Sequence, residues 1–238
     1  MPLRSDVSIY PEAFQTEDPM SFFVNVLCVL LMYGSAYLAN TGAMLFGKWI
    51  PGKTGMRVFI IDNGRNYSDG FRIFGDGKSW NGLIGGGIFS GILFTLAHRL
   101  WGSNGAGAPE APFVDPLLLA NPNDWFWLFE GGYGSSFAAF TMGFILGVSC
   151  MLGDLSGSFI KRRRGLKREG DESSEAPLLD TMPFAIAIFL TSFILFDGQI
   201  ITHPNLIEEI LFLLLVTPVI HRSFNIIGYK FGLKEVPY

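Results

Sequence analysis

Charge is scarce in this 238-residue chain: 16% of its residues are charged, while 49% are hydrophobic and 15% aromatic. A soluble domain carries about 25% charged residues. The shortage, together with a mean hydropathy of +0.36, argues against an ordinary water-soluble globule and makes a membrane protein the first expectation. Cysteine is scarcer still. Cys28 and Cys150 both lie inside apolar runs, which excludes a disulfide framework or a thiolate metal site and leaves them as small buried hydrophobes. The three histidines, His98, His203 and His221, are scattered, and neither HExxH nor GxSxG occurs. Zinc-peptidase and serine-hydrolase chemistry therefore have no footing. A full G-x-x-x-x-G-K-[ST] phosphate loop is missing too, since only GDGKS is present at residues 75–79. The net charge of −4 says little, because the charges are segregated along the chain.

What the chain has instead is long apolar runs. A bilayer core about 30 Å thick takes roughly 20 apolar residues in helical form. Residues 21–46 contain no charge at all, and residues 81–101, 131–153 and 181–201 supply three more candidate spans. Asp197 falls near the far end of the last. In residues 207–227, Glu208, Glu209 and Arg222 flank a charge-free centre and read as interface charges around a fifth span. The expected fold is an all-α polytopic membrane protein with five transmembrane helices. It divides into a polar leader (1–20), a membrane domain (21–228) and a tail (229–238). The leader lacks a basic n-region, so a cleaved signal peptide is not expected. Glycines at 85–87, 91, 143 and 147 suit close helix–helix approach in lipid.

Lys and Arg give the orientation. Six lie in the connection 47–80, six in 154–180 and three after residue 220, against one in the leader and none in 102–130 or 202–206. The positive-inside rule then puts the N-terminus outside and the C-terminus in the cytoplasm, with both basic loops on the cytoplasmic face. The outer connection 102–130 begins as a flexible linker and ends in NPNDWFWLF, an aromatic segment suited to the interface. EGDESSEAP, at 169–177, reads as a solvated acidic insert.

Chemistry concentrates in the two basic loops. In GDLSGSFIKRRR, a helix continuing from the third span sets Asp154, Ser158 and Lys161 on one stripe, at spacings of four and seven. A carboxylate there suits Mg²⁺, and Lys161 and Arg162 suit phosphate oxygens. Asp180 closes the same loop just before the fourth span. The first loop, IIDNGRNYSDGFRIFGDGKSW, spaces Asp62, Asp69 and Asp76 by seven and interleaves Arg65, Arg72 and Lys78. DNG, SDG and GDG are turn sequences, so the spacing points to repeated turns rather than a helical face. GDGKSW running into a helix N-terminus is the shape of a phosphate-approaching turn. The residues alone lead to a Mg²⁺-dependent phosphate-handling centre at the cytoplasmic surface.

These motifs resemble the CDP-archaeol synthase family and, more distantly, the CDP-diacylglycerol synthases. GDLxxSFxKR is carried by Gly153, Asp154, Leu155, Ser158, Phe159, Lys161 and Arg162. LAN at 38–40 is similar to the family's P-A-N, and DGFRIFGDGKSWNG at 69–82 to D-G-x-R-x-x-G-D-x-K-T-x-R-G. PLLDTMP keeps Asp180 but has Pro183 where the family pattern has a second carboxylate. The resemblance implies a multi-pass cell-membrane cytidylyltransferase facing the cytoplasm. CTP and an isoprenoid ether-lipid phosphate (2,3-di-O-geranylgeranylglyceryl phosphate) would give CDP-archaeol and pyrophosphate, with Mg²⁺ as cofactor. Asp154, Lys161 and Asp180 would be catalytic, with Asp154, Asp180 and Asp76 on metal. Asn40, Asp69, Arg72, Asp76, Lys78, Ser158 and Arg162 would contact substrate. The implied partners are CTP, the lipid phosphate and the bilayer, with no nucleic acid polymer. A phosphatidic-acid-specific enzyme is the alternative within this chemistry. A small transporter or a non-catalytic subunit is the alternative outside it. Transport would call for polar groups deep in the spans, where only Asn25, Asn40, Thr141 and Ser149 stand, and no inverted repeat is visible.

Overall fold

The computed structural model describes residues 19–102, 116–119, 136–166, 177–202 and 206–230. Residues 1–18 of the expected leader, most of the outer connection and of the acidic insert, and all but the first two residues of the tail lie outside the described residues; α1 takes the last two residues of the leader. Within them the chain is all-helical, with two isolated antiparallel bridges, Ile60 with Ser79 and Asn66 with Arg72. Helices α1 (Pro19–Tyr37), α2 (Ala39–Met44) and α3 (Ile50–Thr54) follow one another through a turn at Leu38 and a π-helical segment, Leu45–Trp49. Helix α4 is Trp80–Ala97, α5 the single turn Pro116–Leu119, α6 Ser136–Arg163, α7 Pro177–Leu195 and α8 Ile207–Lys230.

One boundary differs from the sequence expectation. The first helical rod runs past residue 46 to Thr54, carrying Lys48 and Lys53, with Pro51 directly after the π-helical segment, in the first turn of α3. It stops at Gly55, whose left-handed φ of 73° lets its N–H cap the carbonyl of Pro51 at 2.9 Å. LAN therefore marks an irregularity inside the rod rather than its end. Helix α6 continues beyond residue 153 through Arg163, as the Asp154, Ser158 and Lys161 stripe requires, so Lys161, Arg162 and Arg163 are helical. Among the described residues, four helices are long and apolar enough to cross a membrane: Phe22–Thr54, Trp80–Leu100, Ser136–Arg163 and Leu178–Leu195.

Helix α6 is the hub, packed between α4 and α7. Small residues allow this. A Cβ on Gly143 would fall 2.8 Å from the Ser90 carbonyl oxygen of α4. On the α7 side, a Cβ on Gly153 would meet the Pro183 carbonyl oxygen at 2.4 Å, and one on Gly157 the Leu179 carbonyl oxygen at 2.4 Å. Pro183 has no N–H to give the Leu179 carbonyl, so that oxygen lacks its usual helical partner and is the atom that packs on Gly157. Pro183 thus belongs to the α6–α7 contact. Hydroxyls add ties across the bundle: Tyr33 to Ser192 at 2.6 Å, Tyr37 to Thr217 at 2.9 Å, and Ser149 Oγ donating to the Ala187 carbonyl at 2.8 Å. The buried core includes Met32, Ala36, Met142, Leu146, Phe184, Ile188 and Leu213, with Cys28 and Cys150 both buried as expected.

Glu209 departs from its reading as an interface charge. Its side chain is buried and accepts a hydrogen bond from Asn25 Nδ2 at 3.1 Å, tying α8 to α1. The sequence shows a Glu-Glu pair at a helix start but not which of the two turns inward.

The backbone contact at Gly153 places Asp154 beside α7, and the contact at Gly157 places Leu179, next to Asp180, beside α6. Gly153→Ala should separate the two helices, since backbone rather than a flexible side chain occupies the space. A loss of about 1–3 kcal/mol, typical of overpacking, is expected as a lowered midpoint in detergent thermal unfolding.

Candidate functional site

The connection from Gly55 to Ser79 folds back on itself before α4 begins. Its two ends run side by side: Ile61 N–H donates to the Lys78 carbonyl at 3.0 Å and Trp80 N–H to the Phe59 carbonyl at 2.8 Å. Asn81, in the first turn of α4, accepts from Phe59 N–H at 2.9 Å and donates to the Arg57 carbonyl at 3.2 Å. Ser79 caps α4, its Oγ accepting from Gly82 N–H at 3.1 Å, so the chain enters that helix in a fixed direction.

Asp62 organises the interior of this loop. Its carboxylate is fully buried and accepts the backbone N–H groups of Gly64 (3.1 Å), Phe74 (3.0 Å) and Gly75 (2.8 Å). Arg72 completes the set, Nη2 to Oδ1 at 2.6 Å and Nε to Oδ2 at 3.3 Å. Burial by itself would raise the carboxyl pKa. The Arg72 guanidinium and the three N–H groups outweigh it and hold Asp62 well below the usual carboxylate range. Arg72 also pairs with Asp76 at 2.8 Å, and its own pKa is raised, first by Asp62 and then by Asp76. Gly75, at φ 97°, opens the turn that returns Lys78 N–H to the Gly75 carbonyl at 3.2 Å. The repeated-turn reading of this loop holds.

The loop lies over the end of α6. Lys78 forms an ion pair with Asp154, and two turns further along α6 the buried Lys161 forms another with Asp180 in the first turn of α7. Ser158 is buried between them in sequence. The Asp154 and Asp180 side chains remain about one-fifth exposed, at 21% and 20%. Arg162 donates to the Leu166 carbonyl at 2.6 Å and lies 3.5 Å from the Phe74 carbonyl. Arg163 pairs with Asp69 at 2.5 Å and donates to the Arg72 carbonyl at 2.6 Å and the Phe71 carbonyl at 3.2 Å.

The 55–79 loop thus meets α6 through Lys78–Asp154, and α6 meets α7 through Lys161–Asp180. Arg162 borders them. Asp69 and Arg72 are occupied inside the loop, and Asp76 stays on Arg72 with its side chain 70% exposed. No three His, Cys, Asp or Glu side chains converge among the described residues, so Asp76 does not join Asp154 and Asp180 as a third carboxylate. Asn40 is half-buried on α2, with no hydrogen bond to this cluster among the described residues. Sequence reasoning missed Asp62 and Arg163 as site-forming residues. Asp62 was one of three equally spaced aspartates, and Arg163 one of four consecutive basic residues.

A face of alternating cations and carboxylates, oxygen-only on its acidic side, suits metal-assisted handling of phosphate groups. Mg²⁺ commonly takes one or two carboxylates and completes its shell with water and substrate phosphate. Asp154 and Asp180 fit that donor set without a third acid.

Comparison with known proteins bears on the same residues. The profile of the CDP-archaeol synthases matches residues 22–105 and 129–238, and that of the cytidylyltransferase family matches residues 76–174. The CDP-archaeol synthase of Methanospirillum hungatei is 34% identical over 203 residues, covering 85% of this chain and 98% of that protein. That of Picrophilus torridus is 32% identical over 219 residues, covering 90% of this chain and all of its own length. A solved intramembrane enzyme for archaeal membrane lipid biosynthesis aligns over 83% of this chain and 92% of its own, with a TM-score of 0.53 at 21% identity. That likeness is one of fold.

Proposed function

Since this chain belongs to the CDP-archaeol synthase family, we propose that it transfers CMP from CTP to an isoprenoid ether-lipid phosphate at the junction of α6, α7 and the 55–79 loop. The observation that carries the assignment to this place is the pair of ion pairs, Lys78–Asp154 and Lys161–Asp180, two turns apart on α6 where it meets the loop and α7. A lipid phosphate oxygen attacks the α-phosphorus of CTP. The bond to the β-phosphate breaks in line and pyrophosphate leaves. Phosphoryl and nucleotidyl transfers of this kind are governed by positioning and charge stabilisation. Lys78 and Lys161 release their carboxylates and take up phosphate oxygens as point charges, while the guanidinium of Arg162 borders the path. Asp154 and Asp180, so released, would hold Mg²⁺, which neutralises charge on attacking and leaving oxygens when bound.

Charge sidedness supports a cytoplasmic site. With α8 as the fifth span, at 24 residues about 36 Å long, the N-terminus lies outside and both basic loops face the cytoplasm. CTP then arrives from water and the lipid phosphate laterally from the bilayer.

The test is transfer of labelled CMP by the protein purified in detergent with Mg²⁺. Archaeal-type ether-lipid phosphate and phosphatidic acid would be offered in parallel. CDP-lipid is expected from the ether lipid, falling to background when EDTA removes the metal. Intact CTP with both lipids would overturn the enzyme reading, and preferential use of phosphatidic acid would overturn the lipid assignment. Transfer undiminished by EDTA would remove the metal from the mechanism.

A further inference from the structure

Arg163 is the best-connected member of the basic run, and all of its connections lead away from Asp154, Lys161 and Asp180. Its guanidinium carbon lies 4.7 Å from the Phe159 ring centroid and 4.9 Å from that of Tyr67. Tyr67 and Phe159 themselves meet edge to face at 5.5 Å. The same guanidinium pairs with Asp69 and donates to the carbonyls of Phe71 and Arg72. Two of its nitrogens, Nε and Nη1, are buried without a hydrogen-bond partner, although Nε lies 2.5 Å from the Asp69 carboxylate as an ion pair. The nearby aromatic rings compensate, since a desolvated cation near π faces gains about 2 kcal/mol or more. Phe159 stands one turn before Arg163 on α6 and also touches Phe74, so both residues bind the loop from one helical face.

We propose that Arg163 is a positioning residue: it latches the 55–79 loop onto the end of α6 and so sets where Lys78 meets Asp154. Asp69, read from sequence as a substrate contact, is its counter-ion. The geometry also explains why one basic run serves two purposes. Lys161 turns toward Asp180 on α7, whereas Arg163, two residues on, turns toward the loop. Two residues along an α-helix is about 200° of rotation, enough to send the two cations to opposite sides of α6. Loop and α7 are therefore held from the same helical turn, and the two ion pairs of the site share one frame.

This role rests on the reading of the site given above, so its test has one arm that does not depend on turnover. Full-length wild-type, R163M, R163K and D69N proteins in detergent would be followed by amide hydrogen exchange across residues 62–75. They would also be assayed for CMP transfer at varied CTP and varied lipid phosphate. R163M is expected to speed exchange in the loop about tenfold or more while α4 and α6 stay protected. The KM for CTP should rise about tenfold with kcat changed less, and the KM for lipid should hold. D69N, which alters the same contact from the loop side, should move both readouts in the same direction. R163K, which keeps the charge but has one nitrogen where Arg163 uses Nε on Asp69 and Nη2 on the two carbonyls, should fall between R163M and wild type. Wild-type exchange in R163M would overturn the latch. So would a fall in kcat at unchanged exchange and unchanged KM for CTP, which would place Arg163 on the reacting atoms. If wild-type protein transfers no CMP but R163M still loosens the loop, the latch stands and the functional reading falls.

Discussion

Asp154→Asn is expected to reduce CMP transfer by on the order of 10³-fold, in line with losses seen when one charge-stabilising group is removed from an active site, while leaving the fold intact. The carboxylate is partly exposed, lies on a long helix and contacts the loop through Lys78, so an isosteric amide keeps packing and helix geometry. What it removes is the negative charge that balances Lys78 and, in the proposed mechanism, half of the protein's share of the metal shell. Asp180→Asn should be similarly severe but less cleanly interpreted. Lys161 is buried and Asp180 is its ion-pair partner, so the substitution leaves a desolvated ammonium behind. The check is labelled-CTP turnover beside a thermal unfolding midpoint. Wild-type turnover in Asp154→Asn would remove this residue from the reaction. A collapse of the unfolding midpoint would instead make it structural.

How much of this was legible beforehand depends on what carries the information. The Asp154, Ser158 and Lys161 stripe was readable because helical periodicity is local, and α6 needed only to continue to make it real. The contacts at Gly143 were foreseeable for the same reason, since a helix crowded against another in lipid favours residues without side chains. The inward turn of Glu209 was not legible, because a Glu-Glu pair at a helix start gives no clue to the position of Asn25 on a distant helix. Nor could the sequence separate Asp62 from Asp69 and Asp76. All three precede or neighbour glycines at equal spacing, and only the folded loop decides where three backbone N–H groups converge. The outcome was one aspartate buried at the centre of the loop, one bound to Arg163 on α6 and one exposed on Arg72. Family motifs mark such positions without telling substrate contacts from the residues that build the loop around them. Here Asp69 pairs with Arg163 and Arg72 with Asp62 and Asp76.

Asp62→Asn should therefore be the most damaging substitution in the loop, although Asp62 lies outside the Lys78–Asp154 and Lys161–Asp180 cluster. The carboxylate takes three backbone N–H groups and a two-pronged Arg72 on two oxygens. An amide has one oxygen and two donors, so its NH₂ must face either Phe74 and Gly75 N–H or the Arg72 guanidinium. Every orientation sets donor against donor. Loss of one partner of a buried pair costs about 3–5 kcal/mol, and the lower figure corresponds to roughly a hundredfold increase in loop opening at tenfold per 1.4 kcal/mol. Amide exchange across residues 62–75 should accelerate by about that factor, and the KM for CTP should rise with it. The pH dependence has a definite sign. Because the folded pKa is depressed, the contribution of Asp62 is fully present above the unfolded value of about 3.9 and is lost as pH falls toward the folded one. Between pH 5 and 8 the wild-type loop should show constant intrinsic protection, once the chemical exchange rate is divided out, and should loosen only below about pH 4. Asp62→Asn should be loose throughout and lack that acid transition. A variant that kept wild-type protection at neutral pH, or a wild-type loop that loosened between pH 5 and 7, would show that something other than this carboxylate holds the loop together.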